Sequence, residues 1–184
     1  MASRARYVDG DVNLIQAKAD PAYPCEKGDL MYLHPATGCA RPASAMNAED
    51  TVAHGQLGFA EYFLGVSNVK NGLQPGETTF KQNGNYESVI TICTTGRFEF
   101  DCPSQQFTPQ QPVAIFCGAD GLLSNQEVDA CSGGALVNSI GLANPSAAAL
   151  QNAVAMTRVI VDIQARRPLG TTVTAGTYSG TSGQ

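Results

Sequence analysis

The 184-residue chain has no tryptophan and only two histidines, His34 and His54. Sugar sites commonly stack rings on tryptophan, so the composition weighs against a lectin or a glycosidase. A Ser-His-Asp or Cys-His catalytic set would have to recruit one of the two histidines. Neither belongs to a nucleophile-elbow motif, and the nearest imitation, Ser132-Gly133-Gly134, follows a cysteine and reads as a turn. Charge is also scarce: Asp, Glu, Lys and Arg make up 15% of the chain, against about 25% in an average globular protein. The net charge is −5 and the basic residues are scattered. With no Lys/Arg stripe to neutralise phosphates, no nucleic-acid partner is expected. No apolar run approaches 18 residues, so no membrane span is expected. The charged start Met1–Arg6 has no apolar stretch after it, so no secretion signal is expected either. No P-loop, EF-hand or G-x-G-x-x-G pattern follows a strand. The sequence therefore implies no catalytic residue, no cofactor-binding residue, no metal ligand and no cofactor.

Six cysteines are present: Cys25, Cys39, Cys93, Cys102, Cys117 and Cys131. Their successive separations of 14, 54, 9, 15 and 14 residues contain no C-x-x-C pair, whereas a zinc site needs closely spaced Cys or His. Without a secretion signal the expected state is six reduced thiols, buried as small hydrophobes. The even count leaves three disulfides as the alternative.

Nineteen glycines and ten prolines punctuate short apolar segments of strand length. Strands are expected at 11–16, 30–34, 62–67, 113–117, 137–143 and 156–166. Residues 69–72 carry a turn signal, and Gly118–Gly121 another. The clearest pattern is Ser88–Asp101. A β-branched run ends at Thr94-Thr95-Gly96, and then Arg97, Glu99 and Asp101 alternate with Phe98, Phe100 and Cys102. That period of two predicts a β-hairpin with a buried face. On the last strand Val159, Val161 and Ile163 share one face. Phe98, Phe100 and Val161 are thus expected in the core. A single helix is expected over 49–59, capped by Asn47, and 146–155 has room for a helical turn. The predicted fold is all-β, a compact sandwich or barrel with one or two short helices and extended termini. Residues 1–10 read as an N-terminal arm, 11–167 as the β-rich domain and 168–184 as a C-terminal arm, either flexible or docked on a partner.

Four stretches carry a resemblance to a family: Gly28-Asp29-Leu30-Met31-Tyr32-Leu33; Phe63-Leu64-Gly65-Val66-Ser67; Gly96-Arg97-Phe98-Glu99-Phe100 within Ser88–Phe100; and Ile140-Gly141-Leu142-Ala143 followed by Val159–Ile163. In order and spacing, over roughly residues 7–166, the chain resembles the capsid cement or head-decoration proteins of tailed bacteriophages. The resemblance implies a structural virion protein, made in the host cytoplasm, on the outer surface of an icosahedral capsid. It implies the major capsid protein as partner, self-association as a homotrimer, and no enzymatic activity. The 17 uncharged residues Pro168–Gln184 span at most about 56 Å when extended. Docked on a capsid, an arm of this kind lies on a neighbour through main-chain hydrogen bonds, with Leu169, Val173 and Tyr178 as partner-binding anchors. Two other readings fit the composition: another viral structural β-domain from a minor capsid, tail or fibre protein, and a secreted disulfide-bonded β-domain.

Overall fold

The computed structural model describes residues 5–68, 89–146 and 154–165. Its strands are β1 (Arg6–Asp9), β2 (Leu14–Lys18), β3 (Leu30–Leu33), β4 (Ala40–Pro42), β5 (Phe63–Ser67), β6 (Val89–Cys93), β7 (Thr95–Gln105), β8 (Pro112–Cys117), β9 (Leu123–Ala130), β10 (Gly141–Ala143) and β11 (Met156–Gln164). One α-helix, α1 (Val52–Tyr62), precedes β5. The fold is mainly β, as the composition and turn pattern predict.

The alternation read in residues 97–102 is realised on β7, where Phe98, Phe100 and Cys102 are buried and the residues between them are half-exposed. β7 is the longest strand, and its two edges do different things. One edge pairs with β11 along most of its length, setting Phe98 opposite Val161 and Phe100 opposite Val159. The other edge is divided. Its first part pairs with β1, and Asp101 then makes a parallel pairing with Glu127 of β9. The first sheet runs β1-β7-β11-β10-β8-β9, so β9 returning to β7 closes five strands into a barrel and leaves β1 outside. The second sheet runs β2-β6-β5-β3-β4.

The expected hairpin at Ser88–Asp101 does not form. β6 lies between β2 and β5 in the second sheet, whereas β7 belongs to the barrel. A two-residue hairpin turn needs residues that accept positive φ, and the β-branched Thr94 and Thr95 resist it. Gly96 alone takes it, at φ +123°. The chain therefore bends from one sheet into the other instead of doubling back. A second bend runs beside it. The Thr94 N–H donates to Asn13 O at 2.9 Å, and the Asn13 N–H donates to Thr95 Oγ1, also at 2.9 Å. Segments 6–18 and 89–105 are thus an antiparallel ribbon that serves both sheets.

Both faces of the second sheet are covered. Leu30, Tyr32, Val66 and Cys93 face the main core with the barrel strands and Phe59 of α1. Ala17, Met31, Leu64, Ile90 and Ile92 form a smaller core with Cys25 on the other side. Every residue of β5 is buried, which explains a run with no polar alternation. Gly65 in that strand has φ +137° and sits against the Cys93 carbonyl, where a Cβ has no space.

Several boundaries differ from the expected ones. Residues 6–9 of the expected arm form β1, and the first expected strand lies at 14–18. The helix begins later than expected because Thr51, not Asn47, caps it: Thr51 Oγ1 accepts from the His54 N–H at 3.2 Å. Glu49 is instead held outside the helix, its N–H donating to Gly121 O at 3.4 Å. The strand expected at 137–143 is a 3-10 turn at Leu136–Asn138 followed by the short β10. β9, rich in polar residues, had no sequence signal. The turn at 69–72, most of the segment 146–155, and the C-terminal arm with Leu169, Val173 and Tyr178 lie outside the described residues.

Candidate interaction surfaces

Among the described residues, β1 and β2 are the first strands of their sheets and each has one β-strand neighbour, with Ala19 just after β2 bridging Ala40 of β4. Their apolar side chains stay exposed: Tyr7 is 54% accessible and Leu14 56%. Exposed edges of this kind offer free N–H and C=O groups to another chain. The Tyr7 ring meets Phe98 edge-on at 5.7 Å, and its hydroxyl donates to Gly10 O at 2.7 Å. The tyrosine is therefore fixed in place while presenting its outer face. Val8, also exposed, falls where the pairing of β1 with β7 shifts register. The edge is pinned from behind, since Arg97 Nη2 donates to Asp9 Oδ2 at 2.7 Å. Between this ribbon and the 66–68 segment runs a groove of about 250 Å³, with Tyr7, Val12 and Leu14 on one side and Val66, Cys93 and Phe98 among its other lining residues. Among the described residues Lys27 is the only charged one lining it.

A second cavity, a cleft of about 230 Å³, opens beside α1, with Tyr62 and Gly58 of the helix, Tyr32 of β3 and Arg41 of β4 among its lining residues. Arg41 is committed on several sides. Its Nε donates to Asp20 Oδ2 at 2.7 Å, Nη2 lies 2.6 Å from the same oxygen, and its guanidinium covers the Tyr23 ring at 4.4 Å. Burial pushes the Asp20 carboxyl up. The Ala22 N–H and Arg41 outweigh that effect and hold it below its ordinary 3.8. Burial pushes the Tyr32 phenol up.

The two interior glycines of α1 differ. A Cβ on Gly55 would lie 2.9 Å from Cys117 Sγ, so packing requires that glycine. A Cβ on Gly58 would meet nothing nearer than Glu49 Oε1 at 4.0 Å. A glycine inside a helix costs about 1 kcal/mol relative to alanine, and at Gly58 packing does not demand it. Of the cleft residues the sequence singled out His34 only as one of two histidines and Asn47 only as a helix cap, and neither reading pointed to a cleft.

The histidines sit apart. His34 Nδ1 is 3.1 Å from Thr37 Oγ1 in an exposed turn. His54 Nδ1 is 2.6 Å from Asp50 Oδ1 on the exposed start of α1, and that bond lowers the Asp50 carboxyl. All six cysteines are buried and unbridged. Among the described residues no three of His, Cys, Asp and Glu gather closely enough to hold a metal ion. No described helix is long and apolar enough to cross a membrane. No protein-family model matches the sequence, and no curated protein matches it.

Proposed function

We propose that the chain is a structural virion protein that binds the outer surface of an icosahedral phage capsid and strengthens contacts between major capsid subunits. The observation that carries this reading is the pair of strands β1 and β2, each with one strand neighbour among the described residues, whose exposed Tyr7 and Leu14 line an apolar groove. Such a surface suits strand addition, where main-chain hydrogen bonds give affinity and apolar side chains give register. A low-charge exterior fits a protein that hides part of its surface against a partner. The β-rich architecture agrees with the sequence resemblance. The role needs no catalytic group, and the Nδ1 atoms of His34 and His54 lie against Thr37 Oγ1 and Asp50 Oδ1. Homotrimeric assembly and docking of 168–184 through Leu169, Val173 and Tyr178 belong to the same proposal.

The test is to mix the purified protein with expanded, DNA-free shells of the phage that carries its gene. Co-sedimentation and cryo-imaging follow, with Tyr7→Ser/Leu14→Ser and a deletion of 171–184 alongside. Decorated shells, with retention under heat reduced in both variants, are expected. Shells that remain bare overturn the reading, and isolated monomers on the shell overturn the trimer.

A further inference from the structure

We propose that the cleft beside α1 receives a basic side chain, an arginine foremost, presented by a partner protein. The inference stands on the cleft alone and holds whether or not the partner is a capsid. Its size is the first argument. About 230 Å³ is below the roughly 300–1,000 Å³ of ordinary small-molecule pockets, and suits one inserted side chain better than a free metabolite.

Charge is the second argument. Arg41 already has its counter-charge, because its guanidinium bonds Asp20 through Nε and Nη2 and covers Tyr23. The paired Arg41 and Asp20 cancel each other. Glu49, exposed at the rim, is then the remaining formal charge among the cleft residues. The chain as a whole carries a net −5. An incoming cation thus meets a carboxylate and no uncancelled positive charge.

The lining is the third argument. Tyr23, Tyr32, His34 and Tyr62 ring the space together with Pro35 and Met46. Aromatic faces attract guanidinium and ammonium groups within about 6 Å, and arginine more often than lysine. An arginine stem also fits against proline and methionine.

Gly58 is the fourth argument. Its missing Cβ leaves the helix side of the cleft open next to Glu49 Oε1, and packing does not ask for that space. The helix forgoes stability at Gly58, a position that lines the cleft.

The test uses the full chain, isotopically labelled, titrated with N-acetyl-arginine amide and with its uncharged analogue N-acetyl-citrulline amide. Amide and ring resonances of Glu49, Gly58 and Tyr62 are followed by NMR. The arginine compound is expected to shift them saturably, and the citrulline compound to bind at least tenfold more weakly. Glu49→Gln should lose about tenfold in affinity. Gly58→Ala should melt at a higher temperature than the parent yet lose at least tenfold, which separates binding from folding. Absence of saturable shifts, equal binding of citrulline, or unchanged binding by Gly58→Ala overturns the proposal.

Discussion

Gln56 Oε1 accepts a hydrogen bond from the Ser132 main-chain N–H at 2.8 Å. The same amide group sends its Nε2 toward Ile115 O and Ala130 O, each at 3.4 Å. One buried glutamine thus joins α1 to β8, to the end of β9 and to the turn after it. Replacing it by leucine keeps the volume and removes all of these bonds. Gln56→Leu should lower stability by about 1–3 kcal/mol, the cost of leaving buried polar groups unpaired. Urea unfolding should show an earlier midpoint with an unchanged slope. An unshifted midpoint would mean that the Ser132 N–H and the two carbonyls find water instead.

Phe100 lies at the centre of the main core, opposite Val159 on β11 and 6.3 Å from the Phe98 ring. Truncation of Phe100 to alanine removes most of a fully buried ring. The expected cost is about 3–5 kcal/mol, a large share of a domain's usual 5–15 kcal/mol. Thermal melting followed by circular dichroism measures it. A variant that melts with the parent would show that this face of β7 packs less tightly than its burial implies.

The success at Phe98, Phe100 and Val161, and the failure of the hairpin around them, have one physical source. Alternation reports which side of a strand faces apolar matter, and that is local information. It does not report which strand lies alongside. The partner of residues 89–105 is residues 6–18, 71 to 93 positions away, and the two ladders and the Thr94 and Thr95 bonds to Asp11 and Asn13 reveal it only in the folded chain. β9 escaped notice for a related reason. Its residues Ser124–Glu127 are polar because they lie half-exposed, so no apolar run marked them. The interaction surfaces were less legible still. The groove and the cleft are assembled from three or more separated segments each, and no spacing within one segment encodes them. The anchors expected at Leu169, Val173 and Tyr178 lie outside the described residues.

Asp20 is placed to make stability depend on pH at the acid end. Its carboxyl is almost fully buried, accepts from the Ala22 N–H at 3.0 Å, and is paired with Arg41. Its folded value lies below the ordinary 3.8, so the folded state binds fewer protons than the unfolded chain. The stabilisation is complete above about pH 4 and is lost as pH falls through the lower folded value. Asp20→Asn leaves the half-buried Arg41 without its counter-charge, which should cost about 1.5–3 kcal/mol near neutral pH, the range for hydrogen bonds to charged groups. The gap between parent and variant should narrow below pH 4. Parallel stability curves from pH 7 to pH 2 would remove Asp20 as the cause.

The six thiols should be inert in the folded protein and fully available in the unfolded one. Each is at most 8% accessible, and the attacking species at any cysteine is the thiolate. For Cys102, burial first, then the nearby Asp129, Asp101 and Glu127 carboxylates, push the thiol up to about 11. Burial also raises Cys93, against a smaller opposing pull from Lys27. At Cys117 burial acts together with Asp120 and Glu49. At pH 8 these three sites therefore hold very little thiolate, and no reagent reaches them without local opening. Treatment with an aromatic disulfide reagent should release six equivalents at once in denaturant. Without denaturant, release should be slow, at a rate that follows opening of the core rather than reagent concentration. Lowering stability with Phe100→Ala should speed it. A prompt equivalent released from the folded parent, independent of stability, would identify a thiol that the fold fails to shield.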